Sequence, residues 1–201
     1  MIMDGALFDT GSVAKKKLFV HGSHNLNGKI EWYTPPQFIE SARKVMGGID
    51  LDPCTSKLAQ KTVQAKKFYT IDDDGLQHKW SGKVWLNPPY SAKVIVAFVE
   101  KLIAHLDDRT VSDCIMLTHN NADTLWFHKA AARCAVACFT RGRVRFYDER
   151  GTANSPTHGH CFMYFGPNML EFTEEFEQYG WLVIGARNVR RKKDKPRRAS
   201  A

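Results

Sequence analysis

A chain of 201 residues that is 43% hydrophobic, with 5 Trp and 12 Phe, has the length of one domain and enough apolar material for a sizeable core. No stretch approaches the roughly 20 uninterrupted apolar residues of a membrane span. Met1 to Lys17 lacks the basic-then-apolar order of a secretory leader, so a soluble cytoplasmic protein is expected. The net charge of +8 sits mostly at one end: Arg187 to Ala201 holds eight basic residues and one acid, so that segment alone carries +7.

Residues 1–28 read as an irregular segment, 29–186 as the folded body and 187–201 as a disordered basic tail. Arg190, Arg191, Lys192 and Lys193 form the densest part of that tail. Such a run attracts phosphates without regard to sequence. A solvated, solubilising end is the other reading of the same charges.

Within the body, Thr34-Pro35-Pro36 opens a helix, with Thr34 as its cap and Pro35 at its first position. Phe38, Ala42, Val45 and Met46 form its apolar stripe, and Gly47-Gly48 stops it. Ile49 to Leu51 is a short strand ending at acids, and Lys57 to Ala65 a short helix. Val84-Trp85-Leu86 is an apolar strand that must end at Asn87-Pro88-Pro89-Tyr90, because proline cannot continue the ladder. Ile95, Phe98, Val99, Leu102, Ile103 and Leu106 recur at helical spacing.

Cys114 to Leu117 reads as a strand, Thr124 to Ala132 as a helix and Cys134 to Phe139 as a strand. Val144 to Tyr147 and Cys161 to Phe165 are expected strands around a polar loop, Asp148 to Gly159. A helix near Glu171 to Gln178 and a strand from Trp181 to Ile184 follow. Strands apolar on both faces, alternating with helices, predict an α/β fold: a mostly parallel sheet with helices on both faces.

The five cysteines, Cys54, Cys114, Cys134, Cys138 and Cys161, are odd in number and irregular in spacing, which argues against a disulfide framework. Cys134 and Cys138 lie in an apolar run and read as packing. His158-Gly159-His160-Cys161 lacks a second ligand pair at finger-like spacing, so no metal is expected.

In such a sheet, ligands bind beyond the carboxyl ends of the strands. Asn87 to Tyr90 falls there. An exocyclic amino nitrogen is a poor nucleophile because its lone pair is delocalised into the ring. Two acceptors on its hydrogens direct that lone pair, and the side-chain oxygen of Asn87 and the carbonyl of Pro88 are suited to the task. Pro89 stiffens the turn, and Tyr90 offers a face on which a base taken out of a duplex can stack. Asp50 and Asp52 alternate at a strand end and are candidates for the ribose or methionine moiety of a cofactor. Asp72, Asp73 and Asp74 are candidates for its adenine amino group, with Asp74 preferred. A solvated turn remains the other reading of each acid.

Glu31-Trp-Tyr-Thr-Pro-Pro36, Gly48-Ile-Asp-Leu-Asp-Pro-Cys54, Asp73-Asp-Gly-Leu76, Trp80 and Val84-Trp-Leu-Asn-Pro-Pro-Tyr-Ser91 together resemble the phage-type DNA N-6-adenine methyltransferases, the Dam family. The likeness is close over residues 31–105 and looser through Arg143 to Phe146 and Phe162 to Gly166. It implies a Rossmann-like class I methyltransferase fold, S-adenosyl-L-methionine as donor and adenine in double-stranded DNA as acceptor. It also implies a phage or prophage gene acting in a bacterial cytoplasm.

By motif, Asn87, Pro88, Pro89 and Tyr90 would be the catalytic loop. Tyr33, Thr34, Pro35, Asp50, Asp52, Pro53, Cys54 and Asp74 would hold the cofactor. The glycine-rich turn common after the first strand of amino-methyltransferases is replaced here by Asp52-Pro-Cys-Thr-Ser56, which leaves open which acid meets the ribose.

Arg141, Arg143 and Arg145 share one face of an extended segment and are candidates for DNA phosphates. His119 with Asn120-Asn121 ends a strand and is a candidate substrate contact or a plain polar loop. No obligate protein partner is implied. The same amino chemistry on cytosine, RNA or a protein glutamine, and a non-enzymatic DNA-binding module, are the alternatives.

Overall fold

A computed structural model describes residues 32–153 and 156–185. The irregular segment 1–28 and the tail with Arg190, Arg191, Lys192 and Lys193 lie outside the described residues. The body runs α1 (Pro36–Met46), β1 (Leu51–Asp52), α2 (Gln60–Val63), β2 (Lys67–Phe68), a 3₁₀ turn (Gly75–Gln77), β3 (Gly82–Leu86), α3 (Ala92–Asp107) and β4 (Val111–His119). It continues with α4 (Leu125–Ala131), β5 (Val136–Thr140), β6 (His160–Phe165), α5 (Met169–Phe176) and β7 (Gly180–Ile184).

The seven strands form one sheet in the order β2-β1-β3-β4-β6-β5-β7. Only its first half is parallel, through the β2–β1, β1–β3 and β3–β4 ladders. The β4–β6, β6–β5 and β5–β7 ladders are antiparallel, so the expected mostly parallel sheet is a mixed one. Among the described residues, the 141–159 connection between β5 and β6 has no helix to make a crossover. The two strands therefore close as an antiparallel pair.

Helices cover both faces, as the alternation implied. Val84, Leu86, Cys114 and Met116 pack on one side with the inner residues of α3 and α4. Trp85, Ile115, Leu117, Phe162 and Tyr164 pack on the other with α1 and α5. The two-residue alternation along β3, β4 and β6 thus feeds two cores at once. All five cysteines are free and buried.

Three local readings change. Pro35 is the N-cap of α1, in an extended conformation (φ −54°, ψ 138°), and Pro36 is the first helical residue. A residue that precedes proline is pushed out of the helical region, so Pro35 cannot itself be helical. Thr34 is therefore not the cap. Val144 to Tyr147 is not a strand; only Tyr147 forms bridges, to Tyr33 and Ala153. The strand β2 had no apolar signal, since both Lys67 and Phe68 are exposed.

β1 lies between β2 and β3, so the chain leaves β1 towards one edge of the sheet and later resumes on its other side. The carboxyl ends of β1 and β3 flank the resulting crevice, where open α/β sheets take their ligands.

Candidate active site

The residues Val84, Trp85 and Leu86 are buried in the sheet, and the ladder stops where Pro88 and Pro89 have no amide to donate. Asn87 is the first residue beyond β3. Its Nδ2 donates to Thr34 Oγ1 at 3.2 Å, and its Oδ1 accepts from the Tyr90 hydroxyl at 2.7 Å. The Cys54 thiol donates to the Asn87 carbonyl at 3.4 Å. Segments before α1, after β1 and after β3 therefore meet on one asparagine.

These bonds hold the Asn87 amide at both ends, its oxygen towards Tyr90 and its nitrogen towards Thr34. A carbonyl oxygen has two lone pairs, so one remains when Tyr90 has taken the other.

Asp52 ends β1 and is 2% exposed. It accepts from Gln60 Nε2 at 2.8 Å and from the Cys54 amide at 3.4 Å. Among the described residues no basic side chain pairs with it. Burial pushes its carboxyl up to about 7, against the pull of its hydrogen bonds.

Asp50 goes elsewhere. It precedes β1, pairs with Lys66 at 2.8 Å and accepts from the Lys83 amide at 2.9 Å, at the opposite end of β3 from Asn87. The hydrogen bond from Lys66 holds its carboxyl below the ordinary range.

A cavity of about 690 Å³ opens over these strand ends. Tyr33, Thr34, Asp52, Cys54, Asn87, Pro88, Pro89 and Tyr90 line it, together with Trp32, Phe146 and His158. Asp50, Pro53, Asp74 and Pro35 do not. Asp74 adopts a left-handed conformation (φ 53°) and caps the 3₁₀ turn, accepting from the Leu76 amide at 3.2 Å. Gly75 then lies flat against Pro53: a Cβ there would stand 1.8 Å from the Pro53 carbonyl oxygen. The Trp80 indole donates to the Gly75 carbonyl at 2.9 Å. The Asp73-Asp-Gly-Leu76 and Trp80 motifs thus buttress the loop after β1 from behind.

Arg141, Arg143 and Arg145 are exposed while Val144 and Phe146 are buried, so the alternation expected of an extended segment holds without a strand. Arg143 donates to the Pro156 carbonyl at 3.0 Å.

Three histidines gather beside Tyr90. His119 closes β4 opposite His160 of β6, and its ring lies 4.0 Å from that of Tyr90 and 4.5 Å from that of His158. The Val144 amide donates to His160 Nδ1 at 3.2 Å. Burial, then the neighbouring imidazoles, push both His119 and His160 down to about 4, so both are neutral near pH 7. The sequence placed His119 at a strand end and weighed His158 and His160 only as metal ligands. Their meeting depends on the β4–β6 register, which no local pattern shows. Among the described residues no group of histidines, cysteines and acids is arranged to hold a metal.

These features define an α/β protein with a cavity at the switch point of a mixed sheet, and with a hydrogen-bonded asparagine and a buried carboxyl without a basic partner among the described residues in its wall. The sequence model described as DNA N-6-adenine-methyltransferase (Dam) matches residues 23–198, and the chain belongs to that family. A DNA N-6-adenine-methyltransferase of Escherichia phage T1 is 34% identical over 107 residues, 52% of this chain. The match spans 42% of that relative's length. No solved structure matches the chain.

Proposed function

We propose that the chain is a Rossmann-like class I methyltransferase that transfers the methyl group of S-adenosyl-L-methionine to the exocyclic amino group of an adenine rotated out of double-stranded DNA. The observation that carries this reading is the orientation of Asn87 between Thr34 and Tyr90, one strand away from buried Asp52.

The donor set fits the cofactor. A carboxyl buried in a cavity wall without a basic partner suits a ligand that brings its own positive charge. The cavity volume is in the range that holds a nucleoside-sized molecule with room for an acceptor base. When bound, S-adenosyl-L-methionine supplies an electrophilic methyl group on a sulfonium.

Asp52, Cys54, Tyr33 and Thr34 would hold it in the half of the cavity that lies over β1. Pro35, Asp50, Pro53 and Asp74 would act from behind the wall, by shaping the segments that carry those side chains.

Asn87 Oδ1 and the Pro88 carbonyl would accept the two amino hydrogens of adenine, turning its lone pair out of conjugation and towards the methyl group. The nitrogen–carbon bond forms as the carbon–sulfur bond breaks, and one amino proton leaves for solvent. No strong base is required, which agrees with an amide rather than a carboxylate at residue 87. Tyr90 would stack on the base. Arg141, Arg143 and Arg145, on the segment that also lends Phe146 to the cavity, would contact phosphates, as would Arg190, Arg191, Lys192 and Lys193 of the tail. Among the described residues no helix is long and apolar enough to cross a membrane, which is compatible with a cytoplasmic site of action.

The test is transfer of a labelled methyl group to DNA, followed by digestion and identification of the modified base. N6-methyladenine is expected, and Asn87→Ala should lose at least about 100-fold in kcat, since it removes an acceptor used in the transition state. Methylcytosine, or full activity in Asn87→Ala, would overturn the proposal.

A further inference from the structure

We propose that His119 is a positioning residue for the acceptor base, acting through the ring of Tyr90; this rests on the reading of Asn87 to Tyr90 as the amino-methylation loop. β4 pairs with β3 as far as Leu86↔Met116 and then runs on to His119. Its last residue therefore overhangs the loop that leaves β3.

The His119 ring meets that of Tyr90 at 4.0 Å between centroids, tilted by 44°, and His158 stacks on it at 4.5 Å and 16°. Tyr90, His119 and His158 stand in file, and all three border the cavity. His160 supports His119 edge-on at 5.2 Å. The Asn120 amide donates to the Gly159 carbonyl at 3.0 Å, tying the ends of β4 and β6 together beneath the three imidazoles.

The bond from the Tyr90 hydroxyl to Asn87 cannot by itself orient the tyrosine ring. The hydroxyl oxygen lies on the χ2 axis, so rotation about χ2 leaves its distance to Asn87 unchanged while it turns the plane on which a base would stack. Torsions of this kind are broad unless packing restrains them. His119 supplies the restraint, with His158 behind it.

The plane of Tyr90 then sets the angle at which the amino group faces Asn87 Oδ1 and the Pro88 carbonyl. Alignment of that kind is where rate is gained or lost without change in affinity. A neutral imidazole serves this purpose without placing a second positive charge near a cationic donor.

The experiment measures kcat on DNA, KM for DNA and calorimetric affinity for S-adenosyl-L-methionine in the full chain. His119→Ala should lower kcat by about 10- to 100-fold with donor affinity within about 3-fold of wild type. His119→Phe, which keeps a flat ring, should restore most of kcat. An undiminished kcat in His119→Ala would overturn the inference, as would a Phe variant no better than Ala or a loss confined to KM. If His119→Ala fails to fold, His158→Ala at an exposed position removes the outer ring instead. A fall of about 3-fold in kcat is then expected, and no change overturns the inference. An inactive wild type would refute the methylation reading itself, whereas an active wild type with an undisturbed His119→Ala refutes this step alone.

Discussion

The hydroxyl of Tyr90 donates to Oδ1 of Asn87 across 2.7 Å, so the first and last residues of the Asn87 to Tyr90 loop are tied to each other. The tie holds the asparagine oxygen in place and leaves its second lone pair for a substrate hydrogen.

Tyr90→Phe separates the two roles of this side chain. It keeps the stacking face and removes the tie, whose net worth as a hydrogen bond is about 0.5–1.5 kcal/mol. A fall in kcat of about 3- to 10-fold is expected, with donor affinity unchanged. Tyr90→Ala also loses the stacking surface, worth about 1–3 kcal/mol per base, and should lose a further 10-fold or more. Steady-state kinetics on DNA check both, and equal rates for Phe and Ala would contradict a stacking role.

Thr34 holds the other end of the Asn87 amide, through Oγ1 at 3.2 Å. Thr34→Val is nearly isosteric and removes that acceptor, so the amide is held from the Tyr90 side alone. Activity should fall by about 3- to 30-fold, in line with one lost hydrogen bond plus misalignment. Thr34→Ser should retain most of it. Rates for Val and Ser that do not differ would show that Asn87 is oriented by Tyr90 alone.

How far the site could be read from sequence follows from how local each cause is. Asn87 to Tyr90 was legible because prolines end a strand wherever they fall. Asp52 was legible as a strand-end acid. Asp50 was grouped with it on the assumption of an extended run, but β1 holds only Leu51 and Asp52, so Asp50 stands before the strand and turns to Lys66. Thr34 has the residue type of a helix cap, but Pro36 holds Pro35 extended and moves the start of α1 one residue on. The antiparallel half of the sheet and the histidine group depend on pairings between segments far apart in the chain, which hydrophobic periodicity does not encode.

Asp52 predicts a pH dependence with a definite sign. Its folded value, about 7, lies above the unfolded value near 3.8, so the folded state holds the proton more tightly. Stability from this group is fully present below about 4 and is lost as pH rises through about 7. Asp52→Asn should therefore stabilise the ligand-free protein at pH 8, by up to about 4 kcal/mol, and change it little at pH 4. A cationic donor favours the ionised carboxyl, so its affinity should rise with pH up to about 8 in the wild type. The rise should vanish in Asp52→Asn, which should also bind the donor more weakly at pH 8. Denaturant melts and calorimetry between pH 5.5 and 8.5 measure both, and a flat affinity profile in the wild type would refute the contact.

Gly75 tests whether the acidic turn serves the cofactor site by support rather than by contact. A methyl group there would meet the Pro53 carbonyl oxygen at 1.8 Å, a backbone atom that cannot swing aside. Gly75→Ala must therefore push the loop after β1 towards the cavity or unseat the 3₁₀ turn that Trp80 anchors. Overpacking of this kind costs about 1–3 kcal/mol. Donor affinity should fall with it, because Asp52 and Cys54 flank Pro53, whereas Tyr90→Phe leaves affinity intact. Asp74→Asn should be mild: the amide oxygen still caps Leu76, and no ligand contact is lost if Asp74 acts only from behind the wall. A large loss of donor affinity in Asp74→Asn, with normal stability, would instead place that carboxylate on the cofactor.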